Sequence, residues 1–237
     1  MIAQRSLLLD VDGVVFRHRE ISARVGQRTC ELVQKVIQCN PTEAKKINKQ
    51  LYSHYGHTYL GLKNIYKSRM TLREYNDFIY EPSFVESLMA IKPTSITTQA
   101  KKQTEQLLTT AMTKNIKCYF YSNAPYLWLH FVLNYLEPNV WIHSGNWLHS
   151  QHEIYDEDGA LKPSTHNYTM TDYYLRRQME WYSNHEVLYV DDSNVNVWQP
   201  SVLGMEWKCY HLSQKQIVPQ GPKLKQIKSL QQLVKEL

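Results

Sequence analysis

The chain has 237 residues, of which 43% are hydrophobic and 21% charged, enough to build a sizeable core and too apolar for a disordered polymer. Its net charge is only +5, and lysines cluster only near Lys223, Lys225 and Lys228. This excludes a polymeric nucleic-acid footprint and leaves a weak preference for small anionic ligands. Four cysteines, Cys30, Cys39, Cys118 and Cys209, show no C-x-x-C spacing and read as reduced packing residues. No stretch approaches a membrane span, and the first apolar run is too short for a signal peptide, so a cytoplasmic chain without a membrane partner is expected.

The first predicted element is an apolar strand, Leu7-Leu8-Leu9, that stops at Asp10 and Asp12. On an extended backbone both carboxylates project to the same side, with Gly13 allowing a turn. Charges held so close need a cation, a shared proton or a raised pKa. A structural Asx turn fits the same residues. Ser22 to Gln38 then carries a helical apolar period. Asn40-Pro41-Thr42-Glu43 opens a second helix with a capping box, running to Tyr55 and stopped by Gly56. Thr71-Leu72-Arg73-Glu74 opens another, ending before Pro82. No strand pattern lies between Arg17 and Ala90.

From Thr97 the pattern alternates. A helix to Lys114 leads to a strand over 116–121, and a helix from Pro125 to Leu136 leads to a strand near Val140 to Ile142. Ser164 caps a helix to Tyr182, a strand covers Glu186 to Val190, a short helix covers Val195 to Leu203, and a strand covers Glu206 to His211. The tail reads as an amphipathic helix with Ile227, Leu230, Leu233, Val234 and Leu237 inward. Such alternation predicts an α/β fold, a parallel sheet with helices on both faces. The helical block becomes an insertion after Asp12, overhanging it.

Three later segments end in polar groups that match the first. Ser122-Asn123-Ala124 offers a hydroxyl and amides before a helix, Lys162-Pro163 an ammonium, and Asp191-Asp192-Ser193 two more carboxylates. Parallel strands present their ends at one edge, where four acids, a hydroxyl and a lysine would converge. Phosphoryl transfer through an aspartyl-phosphate needs such a set, and Mg²⁺ suits it because that ion binds through few carboxylates plus water and phosphate.

In order and spacing these four motifs resemble the haloacid dehalogenase superfamily of phosphohydrolases across the whole chain. The resemblance implies a Rossmann-like catalytic core, residues 1–16 and 92–237, and a C1-type helical cap, residues 17–91. Within the cap, Tyr55-Gly56, Gly61-Leu62 and Leu72-Arg73-Glu74-Tyr75-Asn76 look like the pyrimidine 5′-nucleotidase branch, whose members dephosphorylate nucleoside monophosphates. It implies Asp10 as nucleophile and Asp12 as general acid and base. Ser122, Asn123 and Lys162 would hold the phosphate, and Mg²⁺ would sit on Asp10, the Asp12 carbonyl and Asp192, with Asp191 in support. Asn196 stands where many relatives carry another acid, and the segment His57 to Leu60 lacks the basic residue of some nucleotidase caps.

The expected activity is therefore a Mg²⁺-dependent phosphomonoesterase acting on a small phosphorylated metabolite, a nucleoside monophosphate first, by a monomer or homodimer. The alternatives are a sugar phosphatase or phosphomutase, or a phosphate-sensing protein without turnover. Other residues take plainer readings. His54 and His57 are assigned to the cap rather than to a metal, and His143, His149 and His152 to a solvated loop. Tyr52, Tyr55, Tyr59 and Tyr66 are assigned to cap packing, and Trp141 and Trp147 to the sheet edge.

Overall fold

The computed structural model describes residues 4–136, 147–148, 161–178, 185–215 and 223–237. Six strands, β1 (Gln4–Leu9), β2 (Lys117–Tyr121), β3 (Trp147–Leu148), β4 (His185–Asp191), β5 (Trp207–Leu212) and β6 (Leu224–Ile227), form one sheet in the order β3-β2-β1-β4-β5-β6. Every pair is parallel. After β1 the chain builds outward to β2 and β3, then returns to the other side of β1 with β4. That reversal opens a crevice at the carboxyl ends of the central strands, where open α/β sheets bind ligands.

Side chains of a strand alternate between faces, and the central strands are apolar on both. Leu7 and Leu9 point to one side, where α6 (Ser95–Thr113), α7 (Tyr126–Leu136) and α10 (Leu230–Val234) supply Leu107, Phe131 and Leu230. Leu8 points to the other, against Tyr168 and Leu175 of α8 (Thr165–Gln178) and Val197 of α9 (Asn194–Val202). The expected α/β sheet with helices on both faces is thus present.

Between β1 and α6 lie five helices and no strand: α1 (Arg19–Ile37), α2 (Pro41–Tyr55), α3 (Thr58–Tyr66), α4 (Leu72–Ile79) and α5 (Pro82–Leu88). The first four share a separate apolar cluster built on Leu32, Val33, Ile47, Leu51, Tyr59, Leu62 and Ile79. Their ends follow the local chemistry. His18 starts α1 earlier than the apolar period suggests, its ring accepting the Ile21 N–H. Asn40 caps α2 by accepting the Glu43 N–H at 2.9 Å, and Gly56 ends it at φ 70°. The reciprocal capping box forms at Thr71 and Glu74, whereas at Asn40 only the cap's own bond is made.

Two differences from the sequence reading stand out. Helices α3 and α5, nine and seven residues long, are too short to show a period. The tail helix begins only at Leu230, because Leu224–Ile227 adds β6 to the sheet; Ile227 is buried there as a strand residue. The strand near Val140 to Ile142, the end of α8 at Tyr182, the loop histidines and Trp141 fall outside the described residues.

Candidate active site

The register of the central strands sets the site. Leu9 pairs with Phe120 of β2 and Val190 of β4, so Asp10, Tyr121 and Asp191 follow at one level. The Asp10 N–H continues the ladder to the Val190 carbonyl at 2.9 Å. Beyond it the chain folds into a tight loop: Val15 and Phe16 N–H both donate to Val11 O, and Gly13 N–H to Phe16 O. Gly13 is required twice over. Its φ is +82°, and a Cβ there would lie 2.1 Å from Asp192 Oδ2.

Lys162 is held at both ends. Asn123 grips its backbone, donating from Nδ2 to Lys162 O at 2.9 Å and accepting the Lys162 N–H at 2.8 Å. The ammonium donates to Asp10 Oδ1 at 2.8 Å, Asp191 Oδ2 at 2.7 Å and Tyr121 O at 2.7 Å. A cation this deeply buried survives only with such partners. Burial alone lowers its pKa, but Asp10 and Asp191 outweigh that and raise it. Asp191 is fully enclosed and also accepts from Tyr189 OH at 2.6 Å, Ser193 N–H at 2.8 Å and Asn196 Nδ2. It is saturated with donors.

Asp10 has fewer. Desolvation pushes its pKa well up, Lys162 pulls it down, and Asp191, Asp192 and Asp12 push it up further. Asp12 is raised to about 6 by burial, against the lowering effect of an indole bond. That bond comes from Trp128 Nε1, 2.9 and 3.0 Å from the two Asp12 oxygens. The Asp192 carboxylate is open to water yet ringed by protein; partial desolvation, then Asp191 and Asp12, raise its pKa to about 7. The Ser122 hydroxyl accepts the Ala124 N–H at 3.0 Å, just before α7.

The carboxylate surplus fits a divalent cation. Asp10, Asp191 and Asp192 each offer an oxygen within 4.8 Å of the others, and the buried Oδ1 of Asn196 has no hydrogen-bond partner among the described residues. Hard oxygen donors crowded without enough positive charge suit Mg²⁺ or a similar ion.

All eight residues singled out from the sequence, Asp10, Asp12, Ser122, Asn123, Lys162, Asp191, Asp192 and Asn196, line one cavity of about 390 Å³. Its opposite wall is the helical block, with Ser22, Thr29, Asn48, Tyr52, Thr58 and Tyr75. Sequence reasoning missed Trp128, and it assigned Asn123 an amide role while missing the side-chain grip on Lys162. Tyr59 is core as expected, and Tyr52, half exposed, stands at the cavity instead. Among the described residues no helix is long and apolar enough to cross a membrane.

No family model and no curated protein sequence matches the chain. Solved structures do. A HAD phosphatase from Thermococcus onnurineus superposes with a TM-score of 0.54 at 12% identity, over 98% of this chain and 97% of its own. CbbY from Rhodobacter sphaeroides in complex with phosphate gives 0.54 at 13%, over 98% and 96%. The L-2-haloacid dehalogenase from Xanthobacter autotrophicus, with chloropropionic acid covalently bound, gives 0.51 at 12%, over 99% and 98%. The likeness spans sheet and helical block together, and it is one of fold: the chain shares the α/β architecture of these haloacid dehalogenase superfamily structures.

Proposed function

We propose that the chain is a Mg²⁺-dependent phosphomonoesterase working through an aspartyl-phosphate on Asp10, with nucleoside monophosphates as first candidate substrates. One observation carries this reading: a carboxylate tethered through one oxygen to a buried lysine shares that ammonium with Asp191 and stands beside Asp192, so that three carboxylates gather around one lysine. Displacing halide from an apolar carbon has no use for a divalent cation. A phosphate dianion approaching four aspartates does.

In this reading Lys162 holds Asp10 Oδ1 and leaves the second oxygen to attack phosphorus in line. Asp12, protonated below about pH 6 in the free protein, gives its proton to the leaving oxygen. It then takes one from the water that cleaves the acyl phosphate, restoring Asp10 and releasing inorganic phosphate. Ser122 and the Asn123 amide hold phosphate oxygens, and Lys162 offsets the charge that develops on them. Asp10, the Asp12 carbonyl and Asp192, with Asp191 in support, would hold Mg²⁺, which would supply positive charge to the phosphate oxygens. Residues 17–91 act as the lid over a core formed by residues 1–16 and 92–237. The nucleotide preference rests on the cap motifs around Gly56, Gly61 and Tyr75.

The test is hydrolysis of an aryl phosphate by purified protein with Mg²⁺. Asp10→Asn is expected to lower kcat about 10⁴-fold while leaving circular dichroism unchanged, and chelation is expected to silence the parent. Undiminished turnover by Asp10→Asn would remove Asp10 as nucleophile.

A further inference from the structure

We infer that the cavity selects phosphate monoesters whose leaving group is uncharged and hydroxyl-bearing, a sugar or nucleoside with a single phosphate, and discriminates against a second phosphate or a carboxylate on that group. This deepens the proposed phosphomonoesterase reading and rests on it.

The charge map of the cavity is lopsided. All the carboxylates and the one lysine that line it come from the sheet side. That lysine is committed to Asp10 and Asp191. The helical block contributes hydroxyls, an amide, aromatic rings and His57, and no lysine or arginine. His57 Nδ1 accepts the Tyr59 N–H at 3.3 Å. The 27 lysines and arginines of the chain all lie in the described residues, and Lys162 alone among them lines the cavity. Arg17, which interacts with Asp192, does not line the cavity, and its Nε donates to the Gly13 and Val14 carbonyls.

Where the wall is buried it is polar by construction. The hydroxyl of Tyr75 meets Thr29 and Thr58, and Thr58 Oγ1 donates to Asn48 Oδ1 at 2.6 Å. Thr29, Thr58 and Tyr75 are all less than a tenth exposed. An apolar wall would be cheaper for a lid that merely excluded water. A linked set of hydroxyls and an amide facing the phosphate floor suits hydroxyls on the substrate. A second anion there would lose its water, gain no counter-ion, and face four aspartates.

The experiment compares kcat/KM within matched pairs, using 4-nitrophenyl phosphate to monitor the chemistry independently. Fructose 6-phosphate is set against fructose 1,6-bisphosphate, uridine 5′-monophosphate against uridine 3′,5′-bisphosphate, and glycerol 3-phosphate against 3-phosphoglycerate. The partner that carries a single anionic group is expected to win by about 100-fold or more, and the sugar and nucleoside arms separate the two sources of hydroxyls. Tyr52→Lys, which puts an ammonium at the cavity wall from a half-exposed helical position, should narrow the gap by about tenfold, whatever it does to absolute rates. No turnover of any ester, the aryl phosphate included, would sink the phosphomonoesterase reading itself. Turnover of the aryl phosphate with bisphosphates and carboxylates accepted equally well would leave that reading standing and overturn this inference.

Discussion

Trp128 packs like a core residue, edge-on to Phe16 and stacked on Phe131, yet its indole N–H spans both oxygens of Asp12. One donor shared between two acceptors fixes the carboxylate plane, and with it, in the proposed mechanism, the direction in which Asp12 would deliver a proton. Trp128→Phe keeps the ring contacts and removes the donor. It should lower kcat on alkyl phosphates, whose leaving oxygen needs a proton, by about tenfold or more. On 4-nitrophenyl phosphate, which departs as a stable phenolate, the loss should be smaller, because only the hydrolysis of the aspartyl-phosphate then depends on Asp12. Equal losses on both substrates would remove Trp128 from leaving-group protonation. The sequence shows why this contact was hidden. Residues 126–136 are almost wholly apolar and aromatic, so a tryptophan there reads as core, and its polar edge finds a partner only once α7 lands beside the loop after β1. Asn123 is similar: a strand-end asparagine announces a cap, and its grip on Lys162 depends on a segment 39 residues away.

At the scale of elements, what could be read was what period and punctuation encode. Asn40 and Gly56 bound α2 where the sequence places them, and the strands that stop at Asp10, Ser122 and Asp191 stop there because buried aliphatic and aromatic runs give way to polar residues. The convergence of those ends followed from parallel pairing alone. What could not be read was α3, whose formation depends on contact more than on its own period. Gly61 sits against α2 so closely that a Cβ would lie 2.6 Å from Leu51 Cδ2 and 2.7 Å from its Cβ. Gly61→Ala should therefore destabilise the protein by about 1–3 kcal/mol, the usual cost of overpacking, despite alanine's better helix propensity. Chemical denaturation measures it; an unchanged or raised midpoint would show that α3 can slide on α2. The C-terminal segment shows the opposite failure. Ile227, Leu230, Leu233, Val234 and Leu237 satisfy a helical pattern, but Leu224 and Ile227 pair at the sheet edge instead, because an open strand beside β5 offers backbone bonds that an isolated short helix lacks.

For the molecule as a whole, the sheet gathers four carboxylates and one lysine at one edge, a surplus of negative charge that the proposed cation would offset. The carboxyl groups of Asp12 and Asp192 titrate near 6 and 7 in the folded chain, above their ordinary value of 3.8. Asp10 is displaced the same way. A raised folded-state pKa means that the native state binds the proton more tightly than the unfolded chain. Its stabilising effect is complete below about pH 3.8 and disappears as pH rises through 6 to 7. In chelator, melting temperature should therefore fall between pH 5 and pH 8. Asp192→Asn should blunt that fall, raising the pH 8 value by about 2–4 °C after discounting for the water that reaches this carboxylate, with almost no effect at pH 4. Added Mg²⁺ should restore the parent at pH 8 in proportion to the logarithm of its concentration, and do far less for Asp192→Asn, which has lost a ligand charge. At pH 5, where protons compete for the same oxygens, Mg²⁺ should stabilise both proteins weakly. A melting temperature that is flat with pH in chelator, or that ignores Mg²⁺ at pH 8, would mean that the acidic edge is neutralised within the protein and that the cation site does not exist.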